Sequence, residues 1–280
     1  MLELYFTCDE EARRFCEQLF HYNKHIELQW KTNKDWGNQL QLKQMIHEQT
    51  LEYVGQSIVD VFCMYRLTHS IQYIIKNIYY FENSEEIERI LELSHWLILS
   101  DNEETSFKKQ KNPILTLTSI FMENLRHTTS FHYDSIVKFR LKPFKEELVY
   151  FVGLAIDEFK REEDHQTFIH MLREYIVHKK ARYEEVYVIQ GENFTFFKPN
   201  GKRFSKLELE RFMRNEPLYM VGLDINEWNL APLVALAPQK INIYGNHPSE
   251  PKTLTVINIF QERVTLKSLN QFPFYNYEKK

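Results

Sequence analysis

The stretch "SIVKFRLKPFKEELVYFVG", residues 135–153, predicts the start of a buried central helix. Its first half carries four cations among apolar side chains, namely Lys138, Arg140, Lys142 and Lys145. Pro143 suits the first turn of a helix because its missing N–H would have no partner there, and the two glutamates that follow suit the positive helix end. The nine apolar residues 148–156 then require burial on nearly all sides. The stretch therefore combines a cationic surface with a core helix.

Outward from this stretch, helical periodicity dominates the middle of the chain. Apolar residues recur at intervals of three and four through residues 58–78, and Asn83 and Glu86 have the spacing of a helix capping box. Two long helices are predicted at roughly residues 143–162 and 164–180, with a break in the charged segment "KREEDHQ". These elements predict a helical bundle over residues 43–185.

The two ends of the chain predict smaller mixed regions. Residues 1–42 contain the strand "LELYF", a helix with Thr7 and Glu10 at capping-box spacing, and a hairpin around "KTNKDWGN". Residues 186–280 contain the turn signal Asn200-Gly201, a capping box at Ser205 and Glu208, and a βαβ pattern near the end. The predicted fold is therefore α+β and predominantly helical, with a central helical bundle, a small N-terminal α/β element and a C-terminal α/β domain.

Composition and charge place the chain among ordinary globular proteins of the cytoplasm. Its 280 residues are 43% hydrophobic and 26% charged, and the formal net charge is -4, which gives no general basic surface for nucleic acid. The three cysteines have no CxxC spacing, so we expect neither a disulfide framework nor a zinc ribbon. No secretory pattern opens the sequence and no apolar run approaches the length of a membrane span, which favours a cytoplasmic location.

Several common chemistries lack their motifs. The seven glycines are widely spaced, so the sequence has no phosphate-binding loop and no dinucleotide fingerprint, and we predict no cofactor. Two ExxH pairs, Glu92 with His95 and Glu162 with His165, have the spacing used in di-iron bundles, but their charged neighbours favour solvated helix faces and no metal site. Cys63 lies in an apolar run and is interpreted as a core residue. No catalytic residues are identified.

The segments "FRLKPFKEELVYFVGLAIDEF" and "FIHMLREYIVHKKARYEEVYVI" carry a family resemblance. Here the chain resembles the YtxC-like sporulation protein family of endospore-forming bacteria. The matching positions are Phe139 to Lys142, Asp157 to Phe159, Phe168, Leu172, Arg173, and the strand from Val186 to Ile189. Pro143 and His165 depart from the family pattern. The resemblance implies a cytosolic role in spore formation and brings no catalytic or binding residues with it.

Three functional hypotheses follow. The first is a non-enzymatic role in sporulation through an unknown protein partner, since no catalytic constellation is visible. The second is a binding module for nucleic acid or another anionic ligand, with Lys138, Arg140, Lys142 and Lys145 as the site. The third is an unrecognised enzyme with a pocket between the bundle and the C-terminal domain. The sequence leaves the oligomeric state open.

Overall fold

A computed structural model describes residues 2–33, 36–43, 47–100 and 112–274. The chain divides into two compact units, Met1–Arg161 and Glu162–Lys280. Each unit packs helices against a four-stranded sheet, and helical residues predominate. The predicted class, a predominantly helical α+β fold, is confirmed.

The sheet of the first unit holds the N-terminal strand at its centre. Its strands are β1 (Leu2–Phe6), β2 (Leu28–Asn33), β3 (Gly37–Leu42) and β4 (Ser130–His132), in the order β2-β3-β1-β4. β2 and β3 form the predicted antiparallel hairpin, and β4, which the sequence did not predict, pairs parallel to β1. The buried side chains Leu2, Leu4 and Phe6 alternate along β1, which explains why one face of this strand supports the core.

Within the described part of the first unit, six helices precede the central one, and Cys63–Leu67 forms a π-helical turn between the second and third of them. They are α1 (Asp9–Tyr22), α2 (Glu48–Phe62), α3 (Thr68–Asn77), α4 (Ser84–Leu99), α5 (Pro113–His127) and α6 (Tyr133–Phe139). Asn83 caps α4 by accepting from the N–H groups of Glu85 and Glu86, which confirms the predicted start. The predicted cap of α1 is wrong, because α1 follows Cys8 without a side-chain cap and the Thr7 N–H donates to Asp134.

The central helix α7 is one continuous helix, Lys142–His178, so the predicted break near residue 163 is wrong. The segment "KREEDHQ" contains no proline or glycine, and most of its side chains are exposed. Charged residues of this kind are compatible with a solvated helix, and Arg161 pairs with Glu158 one turn earlier. The boundary between the two units falls within this helix, after Arg161.

The apolar run of α7 is largely buried, as predicted. Leu148, Val152 and Ala155 have no exposed surface, whereas Tyr150 is 48% exposed. Gly153, within this run, packs against the side chain of Tyr79. A Cβ atom at Gly153 would lie 2.7 Å from the hydroxyl of Tyr79, which donates to the Val149 carbonyl at 3.1 Å. This hydroxyl occupies the space that the missing side chain leaves.

The second unit contains the predicted βαβ unit. Its strands are β5 (Glu185–Ile189), β6 (Thr195–Phe197), β7 (Lys240–Tyr244) and β8 (Val264–Lys267), in the order β6-β5-β7-β8. Its shorter helices are α8 (Lys206–Arg214), α9 (Ala231–Leu236) and α10 (Pro251–Phe260). β7 and β8 are parallel, with α10 as their crossover, and β5 also runs parallel to β7. The crossover prediction is confirmed.

Two local predictions in the second unit are also confirmed. The Asn200-Gly201 signal forms a tight turn, in which Gly201 has a φ of +78° and Phe197 bridges to Arg203. Ser205 and Glu208 form the reciprocal capping box that begins α8. Local turn and cap chemistry was therefore readable from the sequence in this region.

Candidate functional site

Three of the four predicted cations line one surface cavity at the junction of α6 and α7. The α6–α7 corner is defined by its lining residues Lys138, Phe139, Lys142, Lys145, Glu146 and Val149. Its cavity volume is about 410 Å³. Arg140 is exposed in the link between the helices, but it does not line this cavity. The structure thus brings together Lys138, Lys142 and Lys145 and leaves Arg140 beside them.

The corner is cationic and solvent-accessible. Three lysines face a single carboxylate, and the ion pair between Lys142 and Glu146 is long, at 3.9 Å, between side chains 86% and 69% exposed. An exposed pair of this kind neutralises little of the local charge. Phe139 is 71% exposed, and the Lys138 ammonium lies 5.3 Å from the centre of its ring. The corner therefore offers positive charge next to an uncovered aromatic ring.

A second surface depression lies wholly in the second unit. The α7 groove has a volume of about 660 Å³ and is lined by His170, Met171, Glu174, Tyr175, His178, Lys179, Glu216, Pro217, Met220 and Val221. Met220 is 69% exposed and Met171 is 40% exposed, and the adjacent Tyr219 is 80% exposed. Exposed methionine and tyrosine side chains around a depression are typical of protein-binding surfaces.

A partly buried ionic cluster lies at the α7 groove. The Glu216 carboxylate accepts hydrogen bonds from Arg182 at 2.8 Å and from the Tyr175 hydroxyl at 2.9 Å, and it forms an ion pair with Lys179 at 2.6 Å. Burial alone would raise the pKa of Glu216, but these three partners outweigh it and hold the pKa below its ordinary value. Burial lowers the pKa of Lys179, and the contact with Glu216 offsets part of that effect. Tyr175, Lys179 and Glu216 of this cluster also line the groove.

The sequence that forms the α6–α7 corner and the α7 groove is similar to that of known proteins. A sequence model of the YtxC-like family matches residues 52–265. The chain belongs to the YtxC-like family. The matched range contains both the α6–α7 corner and the α7 groove. The family prediction is therefore confirmed.

A relative of this member of the YtxC-like family comes from Bacillus subtilis (strain 168). It is named "Uncharacterized protein YtxC", and the two are 30% identical over 208 residues, which cover 71% of this chain and 70% of the relative. No solved structure matches the chain. Among the described residues, no helix is long and apolar enough to cross a membrane.

Two of the ExxH residues of this YtxC-like family member, Glu92 and His95, have structural partners. Glu92 accepts from Arg89 at 2.9 Å, and His95 lies 3.1 Å from the Thr68 hydroxyl. Glu162 and His165 lie on the charged central part of α7, where His165 is exposed. Within the described ranges, no three metal-ligating side chains converge. Burial raises the pKa of the Cys63 thiol to about 11, so the thiol stays protonated near neutral pH.

A partly buried ionic network in the first unit was not predicted from the sequence. Glu11 on α1 is 2% exposed, and Arg66 in the π-helical turn donates to it at 2.5 and 2.7 Å. The same guanidinium donates to Asp134 at 3.0 Å. The adjacent Tyr133 is fully buried, and its hydroxyl has no hydrogen-bond partner. This network joins three helical segments, and its residues line neither the α6–α7 corner nor the α7 groove.

Proposed function

We propose that the chain acts in spore formation by binding another protein in the α7 groove. The resemblance to proteins of endospore-forming bacteria supports the biological setting. The observation that carries the binding role is the pair of methionines, Met171 and Met220, exposed along a depression of about 660 Å³. Unbranched methionine side chains adapt to an incoming apolar surface at little cost.

The apolar lining specifies the chemistry of the partner. The lining sets one lysine, Lys179, against two carboxylates, Glu174 and Glu216, so it offers no surplus of positive charge. A partner segment with aliphatic side chains along one face complements the apolar floor. The occupant is therefore a protein segment of that pattern.

Met220→Glu is expected to abolish partner binding and to lower the yield of heat-resistant spores at least tenfold, because it places a charge on the apolar floor of the groove. The measurement is spore counting in an endospore-forming host whose own copy of the gene is replaced by the variant. A photo-crosslinking residue at position 220 should capture one reproducible protein in sporulating cells.

Leu207→Glu is the matched control, because Leu207 is 77% exposed on α8 and does not line the groove. It introduces the same charge at a comparable exposed site of the same unit. Equal spore yields for the wild type and Met220→Glu, at equal protein levels, would contradict the groove as the binding site. A crosslinked protein recovered equally from position 207 would do the same.

We infer a second function, the binding of an anionic ligand at the α6–α7 corner. Lys138, Lys142 and Lys145 line one cavity with a single glutamate, and Arg140 adds a further cation beside it. The N-terminal turn of α7 contributes Lys142 and Lys145 to this cavity, and the positive end of the helix dipole adds to the positive potential there. These charges favour phosphate groups over neutral ligands.

Binding of fluorescein-labelled oligo(dT) at low salt is expected to weaken with salt, with a slope of log K against log salt of about −2 for three phosphate contacts. The variant Lys138→Gln/Lys142→Gln/Lys145→Gln should lose most of this slope. The control Lys24→Gln/Lys76→Gln/Lys160→Gln removes three exposed cations elsewhere in the first unit. Fluorescence anisotropy gives both slopes, and identical slopes for the two variants would refute a localised site.

A further inference from the structure

Phe139 is the feature of the α6–α7 corner that a simple phosphate site does not require. Its ring is 71% exposed at the end of α6, and the Lys138 ammonium lies 5.3 Å from the ring centre. Burial of an exposed ring in an apolar phase is favourable. A ring beside three lysines therefore suits an occupant that offers both negative charge and an apolar phase.

We propose that the α6–α7 corner docks on the surface of an anionic lipid bilayer, with Phe139 entering the interface and the lysines contacting lipid phosphates. This inference rests on the anion-binding function proposed above and names its partner. Aromatic rings favour the boundary between headgroups and acyl chains, while nearby lysines are attracted to anionic headgroups. The flexible stems of Lys138, Lys142 and Lys145 let the ammonium groups stay in the headgroup layer as the ring descends.

The lining of the corner fits lipid better than nucleic acid. Proteins that bind single strands place several rings along a groove so that successive bases can stack. The corner has one ring, Phe139, and its lining contains no amide or hydroxyl side chain for a base edge. Headgroup phosphates form a diffuse layer, so they can pair with lysines that are not arranged in an ordered series. Lys138 at the end of α6 and Lys142 and Lys145 in the first turn of α7 have such an arrangement.

The buried residues of the apolar run of α7 do not take part in this docking, although Val149 of that run lines the corner. Leu148 and Val152 are fully buried in the core of the first unit, and no described helix could span a bilayer. The ring and the cations of this site lie at the end of α6 and on the first turns of α7. The docking is thus peripheral and reversible, and it depends on lipid charge.

The test is co-sedimentation of the full chain with vesicles of phosphatidylcholine plus phosphatidylglycerol, and with vesicles of phosphatidylcholine alone. We expect binding only to the anionic vesicles. Phe139→Ser should weaken it about tenfold, from the lost ring burial, and Lys142→Gln about fivefold, from one lost cation. Tyr73→Ser is the control, because Tyr73 is 64% exposed on α3, outside the corner.

A second variant checks insertion directly. Phe139→Trp should retain vesicle binding. The emission of the tryptophan introduced at position 139, taken as the difference from the wild-type spectrum, should shift to shorter wavelength when anionic vesicles are added. Equal binding by the wild type and Phe139→Ser would overturn the proposal, as would equal binding to neutral and anionic vesicles. Binding of oligo(dT) without binding of vesicles would overturn the lipid assignment and leave the anion site standing, whereas failure with both probes would remove both.

Discussion

Arg66→Met is expected to lower the free energy of unfolding of the first unit by about 3 kcal/mol, because it leaves the buried Glu11 carboxylate without a partner. Glu11 is 2% exposed and accepts two hydrogen bonds from Arg66, at 2.5 and 2.7 Å. The guanidinium itself is 38% exposed, which places the loss at the lower end of the range for a broken buried pair. The hydrogen bonds from Arg66 to Glu11 also raise the pKa of Arg66.

Urea unfolding followed by tryptophan fluorescence measures this loss selectively. Trp30, Trp36 and Trp96 belong to the first unit, so they report mainly on that unit, whereas Trp228 belongs to the second. The double variant Glu11→Leu/Arg66→Met should recover much of the stability, since replacing both partners removes the unpaired charge.

Tyr133→Phe is the matched control for this network. Its hydroxyl is buried without a partner, so its removal should leave the stability unchanged or slightly raised. A loss of less than about 1 kcal/mol in Arg66→Met would place the pair among solvent-screened surface ion pairs. A loss in the double variant equal to that in Arg66→Met would show that the unpaired charge is not its cause.

This network marks where prediction from the sequence stopped. Arg66 and Glu11 are 55 positions apart, and no local pattern links them. Glu11 does lie among buried residues of α1, beside Ala12 and near Phe15, so an acid on an apolar face was the available signal. Capping boxes, tight turns and the crossover of the βαβ unit were readable because the residues that make them are close in sequence.

The two candidate sites also differ in whether their residues lie close together in the sequence. The cations of the α6–α7 corner lie within eight positions of each other, so the sequence predicted them together. The structure was needed to separate Arg140 from the three lysines, since α6 ends at Phe139 and α7 begins at Lys142. The α7 groove was missed because it joins Tyr175 to Glu216, 41 positions later. The charged centre of α7 does not break the helix, because its Lys, Arg, Glu and Gln side chains have high helix propensity and most of the segment is exposed to solvent.

Gly37→Ala is expected to cost about 3 kcal/mol in the free energy of unfolding of the first unit, from backbone strain and a steric clash together. Gly37 has a φ of +78°, where a side chain is unfavourable. A Cβ atom would also lie 2.6 Å from the Phe6 carbonyl oxygen and 3.1 Å from the Thr7 Cα. Both are backbone atoms, so either strand β1 or the hairpin must shift to make room for the methyl group. Such a shift would disturb the antiparallel pairing of β1 with β3.

Gly222→Ala separates the two causes, since Gly222 has a similar φ of +69° but a Cβ there would approach only the Phe168 ring, at 3.9 Å. Backbone strain alone predicts a loss of about 1 kcal/mol at that position. Urea unfolding followed by circular dichroism measures both variants, because helices in both units contribute to the signal. Equal losses at the two glycines would mean that β1 yields to the added methyl group without cost. A clearly larger loss for Gly37→Ala would identify close packing of the hairpin on β1 as the reason for glycine at this position.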